Sequence, residues 1–232
     1  MNILANAAAV LAGYLIGSLS FAVIVSRLMG LADPRSYGSG NPGATNVLRS
    51  GNRAAAVATL ALDALKGYLP VLAVLLWGPA YGVGETAAAF VGLAAFVGHL
   101  WPVFFRFQGG KGVATAAGAL LAINPWLGAA TLLTWIIIAA FFRYSSLASL
   151  VAALFAPFYQ ALIWGLEPLV LALVPMSLLL IWRHEGNIRK LLAGTESKLG
   201  QKAAAAPPPK AAPAHHGHTH SHHHSKHRKG HH

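Results

Sequence analysis

Long apolar blocks separated by short polar loops dominate the chain. Ile3 to Leu31 runs 29 residues with a single charge, Arg27, where a helix needs about 20 apolar residues to cross roughly 30 Å of hydrocarbon. That block is too long for a signal peptide and has no basic segment before it, so it predicts an uncleaved first span. Further blocks extend the prediction to seven spans, at residues 3–31, 54–77, 85–105, 112–123, 126–142, 147–165 and 168–182. The fourth is short and ends at the turn signal Asn124-Pro125. Five spans with two re-entrant pieces is therefore the competing count. Either way the expected fold class is all-α, a polytopic transmembrane helical bundle.

Basic residues give the expected orientation. Arg35, Arg49 and Arg53 follow the first span, Arg106 and Lys111 the third, Arg143 the fifth, and Arg183, Arg189 and Lys190 the seventh. The intervening loops near Gly78–Gly84, Asn124–Pro125 and Gly165–Glu167 carry no Lys or Arg. Since basic loops stay in the cytoplasm, the N-terminus is expected outside and the C-terminus inside. Every glycine-rich polar loop then lies on the cytoplasmic face. Within the second span, Asp63 and Lys66 each cost roughly 2.5–3.5 kcal/mol at a helix centre. Three residues apart, they share a helix face and can pair. Two readings are open, a structural pair inside the bundle or a lysine lending positive potential to a nearby anion site.

Composition sharpens this picture in three ways. Charged residues make up 10% of the chain, against about 25% in an ordinary globular domain. The formal charge of +11 suggests nucleic acid, but residues 1–196 carry only +5 of it, in short loops where topology explains it better. No nucleic-acid partner is expected. The absence of Cys excludes disulfides, thiolate nucleophiles and Cys-ligated metals. The sequence divides into a membrane domain over 1–200 and a tail over 201–232, Ala/Pro-rich and then His-rich. With nothing to build a core, the tail is expected to be disordered and cytoplasmic. Weak metal buffering by its histidines is the alternative to a disposable tail.

Three loops carry the candidate chemistry. The first, GSGNPGATNVLR (Gly38 to Arg49), contains G-x-G-x-x-G, but a dinucleotide site would need a preceding strand rather than a membrane helix. Its glycines can instead gather backbone N–H groups into an anion nest. Ser39, Asn41, Thr45 and Asn46 add neutral donors, and Arg49 a planar fork suited to phosphate. The second, GHLWPVFFRFQGGKGVAT (Gly98 to Thr115), sets Gly109, Gly110 and Gly112 around Lys111 just before a helix N-terminus, another anion-binding arrangement. It is not a Walker A loop, and His99 there reads more readily as structural than catalytic. The third, RHEGNIRKLLAGTE (Arg183 to Glu196), places His184 and Asn187 three residues apart. Histidine could orient or deprotonate a hydroxyl, and asparagine could donate to a phosphate or carbonyl oxygen. A basic membrane flank would account for Arg183, Arg189 and Lys190 alone. Ser145 and Ser146 open the sixth span on the same face, as helix caps or as phosphate donors.

The three long motifs, in this order and on this face, resemble those of the bacterial acyl-phosphate-dependent glycerol-3-phosphate acyltransferases. The resemblance covers roughly residues 5–200 and includes the run LDALKG, Leu62 to Gly67. Gln108 stands where a lysine is common and Lys190 where an arginine is usual, and the His-rich tail lies outside the pattern. The resemblance implies acyl transfer from acyl phosphate to the 1-hydroxyl of glycerol 3-phosphate, giving lysophosphatidic acid and inorganic phosphate, the first step of phospholipid synthesis. It also implies a bacterial inner-membrane location and a functional link to an enzyme that makes acyl phosphate. By matching positions, Ser39, Arg49, Lys111, Ser145, Ser146, His184 and Asn187 form the glycerol-3-phosphate site, with Ser39, His184 and Asn187 as its catalytic members. Gly43, Thr45, Asn46, Gly109 and Gly110 form the acyl-phosphate pocket. Neither a metal nor another cofactor is obligatory, because acyl phosphate is already activated. The base is His184 or a substrate phosphate oxygen. The chain lacks the HxxxxD box of acyl-CoA-type acyltransferases. A transporter of an organic phosphate is the runner-up, disfavoured because transporters place their sites near the midplane between inverted repeats.

Overall fold

The computed structural model describes residues 2–201, so the predicted tail lies outside the described residues except for Gln201. Among those residues there are ten α-helices and no strand, as the apolar blocks require.

The first predicted span is a broken helix. Asn2 caps α1 (Ile3–Gly17) by accepting from the Ala5 N–H at 3.2 Å. The helix stops at Gly17, and α2 (Phe21–Leu28) continues after a bend of 41°. At the break Ser18 Oγ donates back to Tyr14 O at 2.8 Å, a bond that competes with the helical ladder and bends helices. A break inside an apolar layer strands backbone carbonyls, which must find donors. Lys66 meets this need by donating to Leu19 O at 2.7 Å. Its Nζ also lies 2.8 Å from Asp63 Oδ1, with both side chains buried.

A short helix, α3 (Ala44–Leu48), lies in the first polar loop. Next come α4 (Arg53–Trp77), α5 (Glu85–Leu100) and α6 (Val113–Ile123). These three pack on one another and, with α1, form one half of the bundle. Gly67 of α4 and Gly118 of α6 set how close these helices come: a Cβ on either would strike the partner's backbone, at Thr115 and Ala64. Small residues at such crossings let helices approach where lipid supplies no hydrophobic drive. The other half holds α7 (Pro125–Phe142), α8 (Ser145–Tyr159, extended by a π-turn over Gln160–Trp164) and α9 (Val170–Arg183). Amphipathic α10 (Glu185–Leu192) follows after the single residue His184. Phe96, Leu100, Ala116, Ala153, Met176 and Leu180 join the halves in one buried cluster. The outer surface of α7 shows Leu133, Ile136 and Phe141, as a lipid-facing helix should.

Among the described residues, four helices are long and apolar enough to cross a bilayer, and the bent α1–α2 pair makes a fifth if it is one span. At 1.5 Å per residue, α6 with 11 residues and α9 with 14 reach about 17 and 21 Å, short of the roughly 30 Å hydrocarbon layer. Helices long enough to cross alone therefore number four or five, and the other two of the seven expected apolar segments are present as the shorter helices α6 and α9.

Candidate active site

The polar loops meet at one end of the bundle. In the first, Asn46 is the organiser: its side chain accepts from Ser39 N at 3.0 Å and donates to Pro34 O at 2.6 Å and Tyr37 O at 3.1 Å. Only 2% exposed, it shapes the loop and has no donor left for a ligand. The ring of bonds holds Gly38 and Gly40 at φ +59° and +67° and sets Gly38, the neighbour of Ser39, against the Arg49 side chain. Arg49 follows α3 and donates to Ser197 Oγ. Thr45 Oγ1 lies 3.3 Å from Ser145 Oγ at the start of α8, so Gly43, Thr45 and the two serines share one rim.

The second loop is clamped from two sides. Arg183 donates to Gly109 O at 2.9 Å and to Gly110 O at 3.1 and 3.0 Å. The Gly110 N–H bonds to His99 O at 3.1 Å. That N–H is therefore unavailable to an anion, and Gly110 contributes shape. His99 is buried, its Nδ1 3.4 Å from Thr115 Oγ1 and 3.6 Å from Asp63 Oδ1. It links the loop to the Asp63–Lys66 pair as a structural residue. Between the two loops lies an open cavity of about 390 Å³ lined by Arg35, Gly40, Pro42, Phe107, Gln108, Gly109 and Arg183.

Lys111 leaves the clamped loop and donates to Asn187 Oδ1. Asn187 Nδ2 donates to Glu196 Oε1 at 2.7 Å, and Ser146 Oγ donates to the same oxygen at 2.7 Å. Residues 146, 111, 187 and 196, from four segments, thus form one hydrogen-bonded chain, and Ser197 extends it to Arg49. Burial pulls the Lys111 ammonium down to about 8; Lys190, Arg183 and Arg49 act in the same direction and Glu196 against them. His184, at the α9–α10 junction, is 2% exposed. Its Nδ1 lies 2.8 Å from Leu180 O, and since a carbonyl only accepts, Nδ1 carries the proton and Nε2 keeps a lone pair. Burial, then the Lys111 charge, push His184 down to about 4. It is neutral at pH 7.

A family model described as glycerol-3-phosphate acyltransferase matches residues 7–194. The chain belongs to that family. A protein of Ralstonia nicotianae named glycerol-3-phosphate acyltransferase is 64% identical over 201 residues, 87% of this chain and 97% of that one. One of the same name from Paraburkholderia phytofirmans is 65% identical over 192 residues, 83% and 90% of the two chains. Among solved structures, the glycerol 3-phosphate form of PlsY (YgiH), an integral membrane glycerol 3-phosphate acyltransferase, superposes with a TM-score of 0.78. That match has 37% identity and covers 84% of this chain and 96% of that one. Its lysophosphatidic acid form gives a TM-score of 0.75 at 36% identity. This chain is accordingly a multi-pass membrane acyltransferase of glycerol 3-phosphate.

Within the acyltransferase, Arg49, Lys111, Ser146 and Asn187 share one network, with Ser39 and Ser145 at its edge and His184 beside it. Glu196 and Ser197 belong to that network but have no role in the sequence reading. A carboxylate closing a basic flank was the available signal. Arg183, read from sequence as a membrane flank, fastens the glycine loop.

Proposed function

We propose that this acyltransferase uses acyl phosphate as donor and acylates the 1-hydroxyl of glycerol 3-phosphate, releasing lysophosphatidic acid and inorganic phosphate. The observation that carries the reading is the convergence of Arg49, Lys111 and Asn187, from three distant loops, at one end of the bundle beside a neutral His184. Two anionic substrates need two cationic places. Arg49 and Lys111 suit the phosphate of glycerol 3-phosphate, with Ser39, Ser145 and Ser146 as neutral donors. The second place is the cavity between the glycine loops, lined by Gly40, Pro42 and Gly109 with Arg35 and Arg183 supplying charge; it suits the phosphate of the acyl donor, with Gly43, Thr45 and Gly110 in the loops that flank it.

The chemistry asks little of the protein beyond placement, since holding two reactants in line is worth several kcal/mol. The glycerol 1-oxygen attacks the acyl carbonyl carbon, the bond from that carbon to the phosphate oxygen breaks, and the hydroxyl proton ends on phosphate. With its proton on Nδ1, His184 accepts the hydroxyl hydrogen bond at Nε2 and orients the attack. Burial and the Lys111 charge weaken His184 as a base, and the departing phosphate serves as the proton acceptor. The donors that hold the carbonyl and phosphate oxygens stabilise the charge that develops. No metal or other cofactor is required by these steps. The acyl donor comes from an acyl-phosphate-producing enzyme, and both substrates meet at the cytoplasmic face of the bacterial inner membrane, with the N-terminus outside and the C-terminus inside.

The purified protein should release phosphate from long-chain acyl phosphate only when glycerol 3-phosphate is present, without added divalent ion, and should not accept acyl-CoA. Activity that strictly requires acyl-CoA, or that survives only with a metal, rejects the reading. The tail makes a second expectation. Hydrogen bonds that hold the C-terminal segment run through Ser197 to Arg49 and from Leu199 N to Arg143 O at 2.7 Å, so a cut should fall after Gln201 and spare them. Removing residues 202–232 should leave kcat and both KM values within about threefold, roughly 0.7 kcal/mol. A tenfold loss would place the tail in the site.

A further inference from the structure

Past α10 the chain turns at Gly194 (φ +68°) and crosses the loop end of the bundle as an extended strap. Few apolar groups anchor it: Thr195 and Lys198 are exposed, while Glu196 and Ser197 are half-buried against the site. Its side chains reach the very residues that bind phosphate in the proposed function. Ser197 accepts from Arg49, and Glu196 Oε1 accepts from both Ser146 and Asn187.

The Asn187–Glu196 bond fixes an ambiguity. A primary amide has one donor end and one acceptor end. With Nδ2 committed to the carboxylate, Asn187 must present Oδ1 to Lys111, and it does. The carboxylate also answers a charge problem. Facing Lys111 are Arg49 from the first loop, Arg183 from the end of α9, His184 at the junction and Lys190 from α10, with Glu196 the one acid. A mostly buried ammonium among like charges loses its proton readily.

Resting on the proposed function, we propose that Glu196 is a positioning residue for acyl transfer: braced by Ser146 and Asn187, its carboxylate turns the Asn187 oxygen onto Lys111 and serves as the counter-ion of the Lys111 ammonium. Lys111 then meets the incoming phosphate charged and in place. Neutralising Glu196 would loosen the hold on Asn187 and leave Lys111 less charged.

The test is the pH profile of kcat/KM for glycerol 3-phosphate, which reports free-enzyme ionisations, measured on the full chain in detergent. In wild type it should fall as pH rises through about 8, where Lys111 loses its proton. E196Q should move that limb down by about one pH unit, a tenfold loss of kcat/KM on the limb. E196D, which keeps the charge, should move it by less than half of that. In the K111R background the limb should vanish and E196Q should no longer shift it, because a guanidinium stays protonated. An unshifted limb in E196Q overturns the proposal. So does a lowered KM for glycerol 3-phosphate, which would mean that the carboxylate competes with phosphate. If E196Q does not fold, S146A loosens the same brace and should give a smaller shift of the same sign. Labelling of Lys111 by an amine-reactive reagent, followed by mass spectrometry across pH, reads the same ionisation without turnover. It separates failure of this inference from failure of the functional reading.

Discussion

Arg49→Ala and Lys111→Ala are each expected to lower kcat/KM for glycerol 3-phosphate by about ten- to hundredfold. A charge-assisted hydrogen bond contributes about 1.5–3 kcal/mol, and each 1.36 kcal/mol is a factor of ten. The two losses should differ in kind. The Arg49 side chain is half-buried and bonds to Ser197 alone among the described residues, so its removal should leave the fold and the apparent melting temperature nearly unchanged. Lys111 is held in the network through Asn187. Its removal orphans the Asn187 oxygen and leaves Glu196 facing no ammonium, so kcat should fall along with the rise in KM. The double variant should lose less than the product of the single losses, because residues that share one ligand are not additive. Arg49→Lys should fall between, as an ammonium cannot form the planar two-pronged contact. Steady-state kinetics with each substrate varied separately decides it. Losses below about threefold for both variants, on protein shown to be folded, would reduce these loops to interhelical turns.

These residues were legible in the sequence because each is a charge or a cluster of donors in a chain with few of either. Arg49, Lys111, His184 and Asn187 stand out against apolar spans, and the structure gathers all four. Glu196 and Arg183 were overlooked for a common reason. Each acts through a partner far along the chain, Ser146 for one and the carbonyls of Gly109 and Gly110 for the other, and no local pattern reports such a partner. Asn46 differs from the other members of the expected pocket. A conspicuous polar residue in an anion-binding motif reads as a ligand, yet its bonds all close within its own loop. Of the two readings of Asp63 and Lys66, the structural one accounts for the contacts, since the break between α1 and α2 supplies the carbonyl that Lys66 binds. The break itself was hidden because Ser18, Leu19 and Ser20 interrupt an apolar run too little to alter its length.

Gly109→Ala should be the most damaging single-methyl change in the site, with kcat/KM down by more than about a hundredfold or folded protein not recovered. A Cβ there would land on the carbonyl oxygens of His99 and Leu100, with the Leu100 carbonyl carbon at 2.6 Å. Backbone cannot swing aside as a side chain can, and overpacking of a tight contact costs about 1–3 kcal/mol or more. The loop has no slack either: Arg183 holds Gly109 O and Gly110 O from one side, and His99 O holds the Gly110 N–H from the other. Relief must come from breaking one of these bonds, and with it the placement of Lys111 two residues on. Gly110→Ala is a gentler case. Its Cβ would meet the His99 ring and stand 2.9 Å from Pro42 O, so it pushes the first loop away from the second and should raise the KM for acyl phosphate more than that for glycerol 3-phosphate. Gly186→Ala serves as the control. It lies in α10 with nothing within 4 Å of the added methyl, and alanine stabilises a helix interior by about 0.5–1 kcal/mol over glycine, so activity should hold and the melting temperature should not fall. Kinetics and thermal unfolding of the three variants side by side give the answer. Near-wild-type turnover by Gly109→Ala would show that the clamp on the glycine loop is dispensable and that Lys111 is positioned by Asn187 and Glu196 alone.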